Sequence, residues 1–176
     1  MNVQLIQTHD AALFAPVLQE VAFGDPFAGS LGHWCTRSER PSHLRLWEVF
    51  LALDAGTPVG VCGWYQTRAM PPHLAWLAWL GIRESHRRRG AGAAMLDALV
   101  AQARNQPELT ELWVYTDPDE PGVHRYYERA GFRCAGIGSS IAPHPGMAAT
   151  DKVFCLPLPE STPCQPALNL PRSTPA

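Results

Sequence analysis

The stretch Trp76–Val100, WLAWLGIRESHRRRGAGAAMLDALV, decides the fold. It begins inside Leu74–Ile82, a nearly all-apolar run that reads as a buried strand. A polar turn follows and closes on Arg87-Arg88-Arg89-Gly90-Ala91-Gly92, where the chain enters a helix spanning Gly90–Asn105. Met95, Leu96, Leu99, Val100 and Ala103 form the apolar stripe of that helix. The turn has the chemistry of an anion site. The first N–H groups of a helix have no internal partner and carry the positive end of its dipole. Gly90 and Gly92 let a phosphate approach the backbone closely, and the three arginines add charge and forked donors. Gly81, a glycine inside a strand, marks a bulge or a close backbone approach.

Upstream, Asn2–Gln7 reads as a short strand. Asp10 caps a helix running to about Phe23, with Leu13, Phe14, Val17, Leu18 and Val21 at helical spacing. Residues 24–42 read as loop with one short helix around Leu31–Arg37. Leu44–Leu53 and Pro58–Thr67 form a hairpin about Asp54-Ala55-Gly56-Thr57. Downstream lie a strand at Leu112–Thr116, a helix opened by Pro121 and ended by Gly131, and strands near Phe132–Ile141 and Lys152–Leu156. The order predicts one α/β domain over residues 1–158. Six prolines between Pro157 and Ala176, with little apolar periodicity, predict a disordered Pro-rich tail over 159–176.

The 176 residues suit a single domain, and 46% apolar content suits a buried core. Lys plus Arg number 14 and Asp plus Glu 16, a net charge of −2, which argues against nucleic-acid or membrane-surface binding by bulk charge. No apolar run reaches the roughly 18 residues needed to span a bilayer, and MNVQLIQTHD lacks a signal-peptide pattern, so the expected compartment is the cytoplasm. Cys35, Cys62, Cys134, Cys155 and Cys164 show no CxxC spacing and form neither a disulfide framework nor a zinc site. Reduced thiols and no metal are expected.

A second motif lies in Val123–Phe132, VHRYYERAGF. On a helix Val123 and Tyr127 share a face, while Tyr126 points elsewhere, toward the core. A strand, an R-x-x-G-x-G turn and its helix, then a strand, then a helix carrying YYExxGF, resembles the GCN5-related N-acetyltransferase (GNAT) superfamily. The two motifs cover Trp76–Phe132, and the strand order is compatible over Asn2–Leu158. Here Tyr126 stands where the family usually has Phe or Leu before the Tyr-Glu pair.

The resemblance implies a single-domain GNAT fold. Its central mixed, mostly antiparallel sheet has six to seven strands with splayed central strands, flanked by about four helices. It implies a cytoplasmic N-acetyltransferase that uses acetyl-coenzyme A as co-substrate, with no metal, and acetylates a primary amine of a small molecule or peptide by direct attack on the thioester. Carried over by position, the pyrophosphate falls to the turn residues Arg87, Arg88, Arg89, Gly90, Ala91, Gly92 and Ala93. The pantetheine arm falls to Leu80, Gly81 and Ile82, with Val123 and Tyr127 completing the coenzyme contacts. The Leu80 N–H matches the oxyanion donor, and Tyr127 matches the tyrosine that protonates the leaving thiolate.

The sequence departs from the family in two places. Leu74–Ile82 holds no acid to act as base; Trp76 and Trp79 stand there, leaving His73 and His124 as candidate bases. DPDEPG after Thr116 lacks the Asn often found before the second helix. Trp34, Trp64 and Trp76 are candidate residues for an aromatic acceptor pocket. A monomer or homodimer, without nucleic-acid or membrane partners, is expected. The alternative is a catalytically silent GNAT-fold sensor that binds acyl-coenzyme A; release of free thiol from acetyl-coenzyme A over an amine panel separates the two.

Overall fold

Seven strands and three α-helices make up the described residues of the computed structural model, which are 2–21, 34–35, 39–141, 144 and 146–158. In chain order they are β1 (Val3–Gln7), α1 (Ala11–Glu20), β2 (Leu44–Asp54), β3 (Thr57–Thr67), β4 (Leu74–Ile82), α2 (Ala91–Arg104), β5 (Glu111–Thr116), α3 (Pro121–Arg129), β6 (Arg133–Ile137) and β7 (Lys152–Pro157). The class is α/β with mostly antiparallel strands, as the sequence predicts. Of the short helix expected around Leu31–Arg37, only residues 34 and 35 are described, and both are helical. The tail expected over 159–176 and Cys164 lie outside the described residues, as does Phe23. The chain divides into two compact units between Thr110 and Glu111.

In the first unit β1 to β4 form an antiparallel meander in chain order. Ala55 and Gly56 both have positive φ, 48° and 81°, so the β2–β3 turn follows the right-handed twist of its strands. Asp10 caps α1 by accepting from Ala12 N at 2.9 Å, and Phe14 and Val17 are driven into the core. With Trp47, Val49, Leu51 and Val61 they form a cluster on one face of the meander. Leu13, expected on the same stripe, is 40% exposed instead. The expected stripe of α2 is buried throughout and packs on β1, β3 and β4. A Cβ on Gly60 would meet Gly81 O at 2.7 Å and Met95 Sδ at 3.0 Å, so a glycine is needed where β3 lies between them.

One irregularity matters most. Val61 pairs with Gly81 and Gly63 with Ala78, so Cys62 faces two residues, Trp79 and Leu80. This extra residue is a β-bulge. Trp79 there has φ +49°, an outlier for so bulky a residue. The sequence places a bulge or close approach at Gly81; the bulge lies just before it, and the close approach is that of Gly81 O to Gly60.

In the second unit β7 lies between β5 and β6, antiparallel to both. α3 begins with Pro121, whose missing N–H has no intrahelical role there. It ends in a Schellman motif: Phe132 N donates to Tyr127 O at 3.0 Å, Gly131 N to Glu128 O at 3.0 Å, and Gly131 has φ +90°. The Phe132 ring folds back on Tyr127 with centroids 5.4 Å apart. Cys35, Cys62 and Cys134 are free thiols, but Cys155 in β7 is disulfide-bonded, which corrects the expectation of five reduced thiols. Among the described residues no helix is long and apolar enough to cross a membrane, and no three metal-ligating side chains converge.

Gly131→Ala forces an L-residue into the left-handed region while leaving ordinary space for its methyl, 3.5 Å from Leu156 Cδ1. The expected cost is about 1–2 kcal/mol. Thermal unfolding should show a fall in Tm of roughly 2–8 °C for a chain of this size.

Candidate functional site

The end of β4 is held by a polar clamp. Glu20, the last residue of α1, accepts through Oε1 from Arg83 Nε at 2.9 Å and from Arg83 Nη2. Its Oε2 accepts from Ser85 Oγ at 2.7 Å and from Ser85 N at 3.3 Å. Arg83 also donates from Nη1 to Pro58 O at 3.0 Å and from its backbone N–H to Val59 O at 2.9 Å. One guanidinium thus ties α1, β3 and the exit of β4 together. The Arg83 hydrogen bonds, helped by Ser85, hold the Glu20 carboxyl down at about 2.

After this clamp a single 3-10 turn, Glu84–His86, leads to Arg87, whose Nε donates to Ile82 O at 3.2 Å. Arg88 has φ +59° and Gly90, the N-cap of α2, has φ +84°. Gly90, left-handed, is followed by helical backbone at Ala91, an alternation of the kind that forms an anion-binding nest. No side chain caps α2. A Cβ on Gly90 would meet nothing within 4 Å, so the approach to the cap is open. Arg87, Arg88 and Arg89 are exposed, and among the described residues no carboxylate pairs with them.

In the second unit, α3 buries His124 and Tyr127. His124 Nε2 lies 2.9 Å from Asp117 O, and its Nδ1 lies 3.4 Å from Lys152 Nζ. An ammonium can only donate, so Nδ1 is the acceptor and Nε2 carries the proton. Tyr127 is 6% exposed, its ring set among Tyr126, Phe132 and Phe154. Burial pushes its phenol well above the ordinary tyrosine range.

The sequence profile of the acetyltransferase (GNAT) family matches residues 18–132, which include both the β4–α2 turn and α3. The chain belongs to this family. No curated protein matches it significantly. Among solved structures it is similar to a putative GNAT-family acetyltransferase of Desulfovibrio desulfuricans, at 18% identity and TM-score 0.68, covering 89% of this chain and 99% of that one. It is also similar to the ribosomal-protein-S18-alanine N-acetyltransferase of Escherichia coli, at 15% identity and TM-score 0.65, covering 92% and 96%. A GNAT-family acetyltransferase of Elizabethkingia anophelis with acetyl-CoA bound matches at 16% identity and TM-score 0.61, covering 89% and 97%.

In this GNAT chain Leu80, Gly81, Ile82 and Arg87 to Ala93 form one continuous segment of the first unit, from the bulge to the first turn of α2. Val123 and Tyr127 stand one helical turn apart on α3, Val123 partly buried and Tyr127 buried. Tyr126, expected in the core, is only half-buried; the Schellman stop folds Phe132 onto Tyr127 and gives Tyr127 the deeper place.

Three expectations need correction. His73 is exposed at the entrance of β4, seven residues before Leu80, a distance along a strand of roughly 20 Å. A base needs to lie about 3 Å from its proton or one water away, so His73 does not serve Leu80's end of the strand. His124 has both ring nitrogens engaged. Trp64 is 0% exposed and edge-on to Phe50 at 5.2 Å, away from Trp34. Strand alternation explains the last point: Tyr65, register partner of Trp47 and Trp76, takes the face of the Trp47 cluster, and Trp64 takes the other.

Trp76 shares the Tyr65 face but is buried. Trp34 instead meets Trp79 at 4.3 Å, Trp47 at 5.3 Å and Tyr65 at 6.0 Å. Trp79 and the Glu20–Arg83 clamp were missed as candidates. The clamp joins residues 63 apart and has no local signal; Trp79's direction depends on the bulge.

Because the Glu20 pKa is lowered by folding, its contribution to stability is complete above the unfolded carboxyl value near 4.5 and is lost as pH falls toward about 2. Glu20→Gln should therefore lower Tm at neutral pH, and the gap from the parent protein should close as the solution is acidified through that window. Parallel melting curves against pH check this.

Proposed function

We propose that the chain is an acetyl-coenzyme A-dependent N-acetyltransferase acting on the primary amine of a small molecule or peptide. The observation that carries this reading is the β4–turn–α2 segment: a strand bulge, two left-handed turn residues, an open glycine cap without a side-chain acceptor, and three exposed arginines. A pyrophosphate fits that set. Backbone amides of Arg88 to Ala93 would take its oxygens, with a forked contact from Arg87, Arg88 or Arg89. Leu80, Gly81 and Ile82 would present backbone groups to the pantetheine arm, with Val123 giving apolar contact.

Acetyl-coenzyme A supplies an activated acyl group: the amine's C–N bond forms as the C–S bond breaks, sulfur keeps the electron pair, and the proton lost by nitrogen balances the one the thiolate takes up. The bulge offers backbone polar groups outside the regular ladder, and the Leu80 N–H is assigned as the donor to the carbonyl oxygen as charge gathers there. Tyr127, held neutral by burial, is assigned as the hydrogen-bond donor to the departing sulfur. Its raised pKa makes it a weaker acid than an ordinary phenol, so its main contribution is a hydrogen bond to the anion as it forms.

An alkylammonium at pH 7 costs roughly 4–5 kcal/mol to deprotonate. His73 lies far along the strand from Leu80 and both ring nitrogens of His124 are engaged, which favours a second reading, an acyl-coenzyme A sensor without turnover. Free-thiol release over an amine panel separates the two.

Two substitutions test the main reading. Gly92→Glu puts a carboxylate at the helix start and should abolish coenzyme A binding in calorimetry. Unchanged affinity in a folded Gly92→Glu protein would remove the phosphate-cradle reading. Tyr127→Phe should lower kcat by about 10²–10⁴ with coenzyme affinity retained, while Tyr126→Phe is nearly silent. Equal small effects at both positions would make Tyr127 a packing residue.

A further inference from the structure

We infer that the acceptor is an arylalkylamine, a primary amine on an aromatic body, laid against a wall formed by Trp34, Tyr65 and Trp79. This rests on the acetyltransferase reading above and names the acceptor class of the same site.

The wall follows from the bulge. The extra residue in β4 sends Trp79 to the face that already holds Tyr65, 6.5 Å away, and Trp34, 4.3 Å away. Trp47 lies beneath as a buried floor, with His9 against it at 5.7 Å. Trp34, Tyr65 and Trp79 keep part of their surface open, whereas Trp47 and Trp76 are buried. Trp79 holds a backbone conformation that a bulky residue adopts only where its surroundings impose it. The bulge imposes that conformation, and it sets the Trp79 ring beside the peptide N–H assigned to the reacting carbonyl.

Position supplies the occupant. An attacking nitrogen must come within about 3–3.5 Å of the thioester carbon. Leu80 is assigned to that carbonyl's oxygen, and Trp79 is its peptide neighbour, so the body of the amine extends over the ring of residue 79 and its partners. Three partly open rings gain most from a flat apolar body, through area and ring–ring contact. These rings pack against an apolar cluster that includes Phe14, Val17, Leu51 and Val61. A polyamine or an aminoglycoside brings several charges that need anionic partners once desolvated, and the rings of this wall supply none.

The test measures thiol release by the full chain with phenethylamine and tryptamine against spermidine, an aminoglycoside and an alanine-terminated peptide. The arylalkylamines should have the higher kcat/KM. Trp34→Leu should raise their KM roughly three- to tenfold, the range one ring contact commands. The KM of acetyl-coenzyme A should stay unchanged, and Trp34→Phe should restore most of the loss. Tyr65→Leu serves as the second variant if Trp34→Leu does not fold. A preference for spermidine, the aminoglycoside or the peptide would overturn the inference, as would a Trp34→Leu effect equal for all acceptors. A chain that binds coenzyme A but transfers to no arylalkylamine also overturns it and leaves the coenzyme reading standing; failure to bind coenzyme A sinks that reading itself.

Discussion

Cys62 of β3 faces two residues of β4 rather than one, and much of the candidate site depends on this mismatch. In a regular ladder Cys62 would face a single residue of β4, and the Trp79 ring would follow simple alternation. At the bulge Trp79 takes positive φ, and its ring joins those of Trp34 and Tyr65. Three residues beyond Leu80, Arg83 is fastened to Glu20 and Pro58, so the strand enters the arginine–glycine turn from a fixed direction. The backbone donors proposed for the thioester and those proposed for the pyrophosphate therefore sit on one braced segment.

Features governed by short-range rules were legible before any coordinates. The apolar stripe of α2 is buried as its spacing requires, the Ala55-Gly56 turn joins β2 to β3, and Gly131 stops α3. Each depends on residues within one or two turns of each other. What escaped the sequence depends on register or on distant partners. A nearly all-apolar strand carries no alternation from which to find an inserted residue, so the sequence points to Gly81 for a bulge or close approach and leaves the direction of Trp79 open. Trp64 was grouped with Trp34 because the face of a buried strand is set by its pairing. Glu20 and Arg83 are too far apart in sequence for any periodicity to join them. His73 and His124 drew attention as histidines near motifs, but strand length removes one and a Lys152–His124–Asp117 arrangement occupies the other.

The YYExxGF motif carries both a helix stop and the tyrosine proposed as the donor to sulfur. Gly131 and Phe132 close the Schellman stop, and that stop buries the Tyr127 ring. The same burial that raises the phenol's pKa keeps it protonated, which suits a donor to a forming anion better than a proton shuttle. Packing of this kind fixes the ring, so the hydroxyl proposed as donor would need little reorganisation.

The central claim is that one backbone segment, from the bulge to the first turn of α2, holds the donor. Amide hydrogen exchange and backbone chemical shifts, recorded with and without coenzyme A, test it most directly. The account predicts that coenzyme A perturbs the amides of Leu80–Ile82 and of Arg88–Ala93 and slows their exchange, with β1 and the β2–β3 turn unaffected. Saturable binding that leaves those two groups of amides unchanged would contradict it.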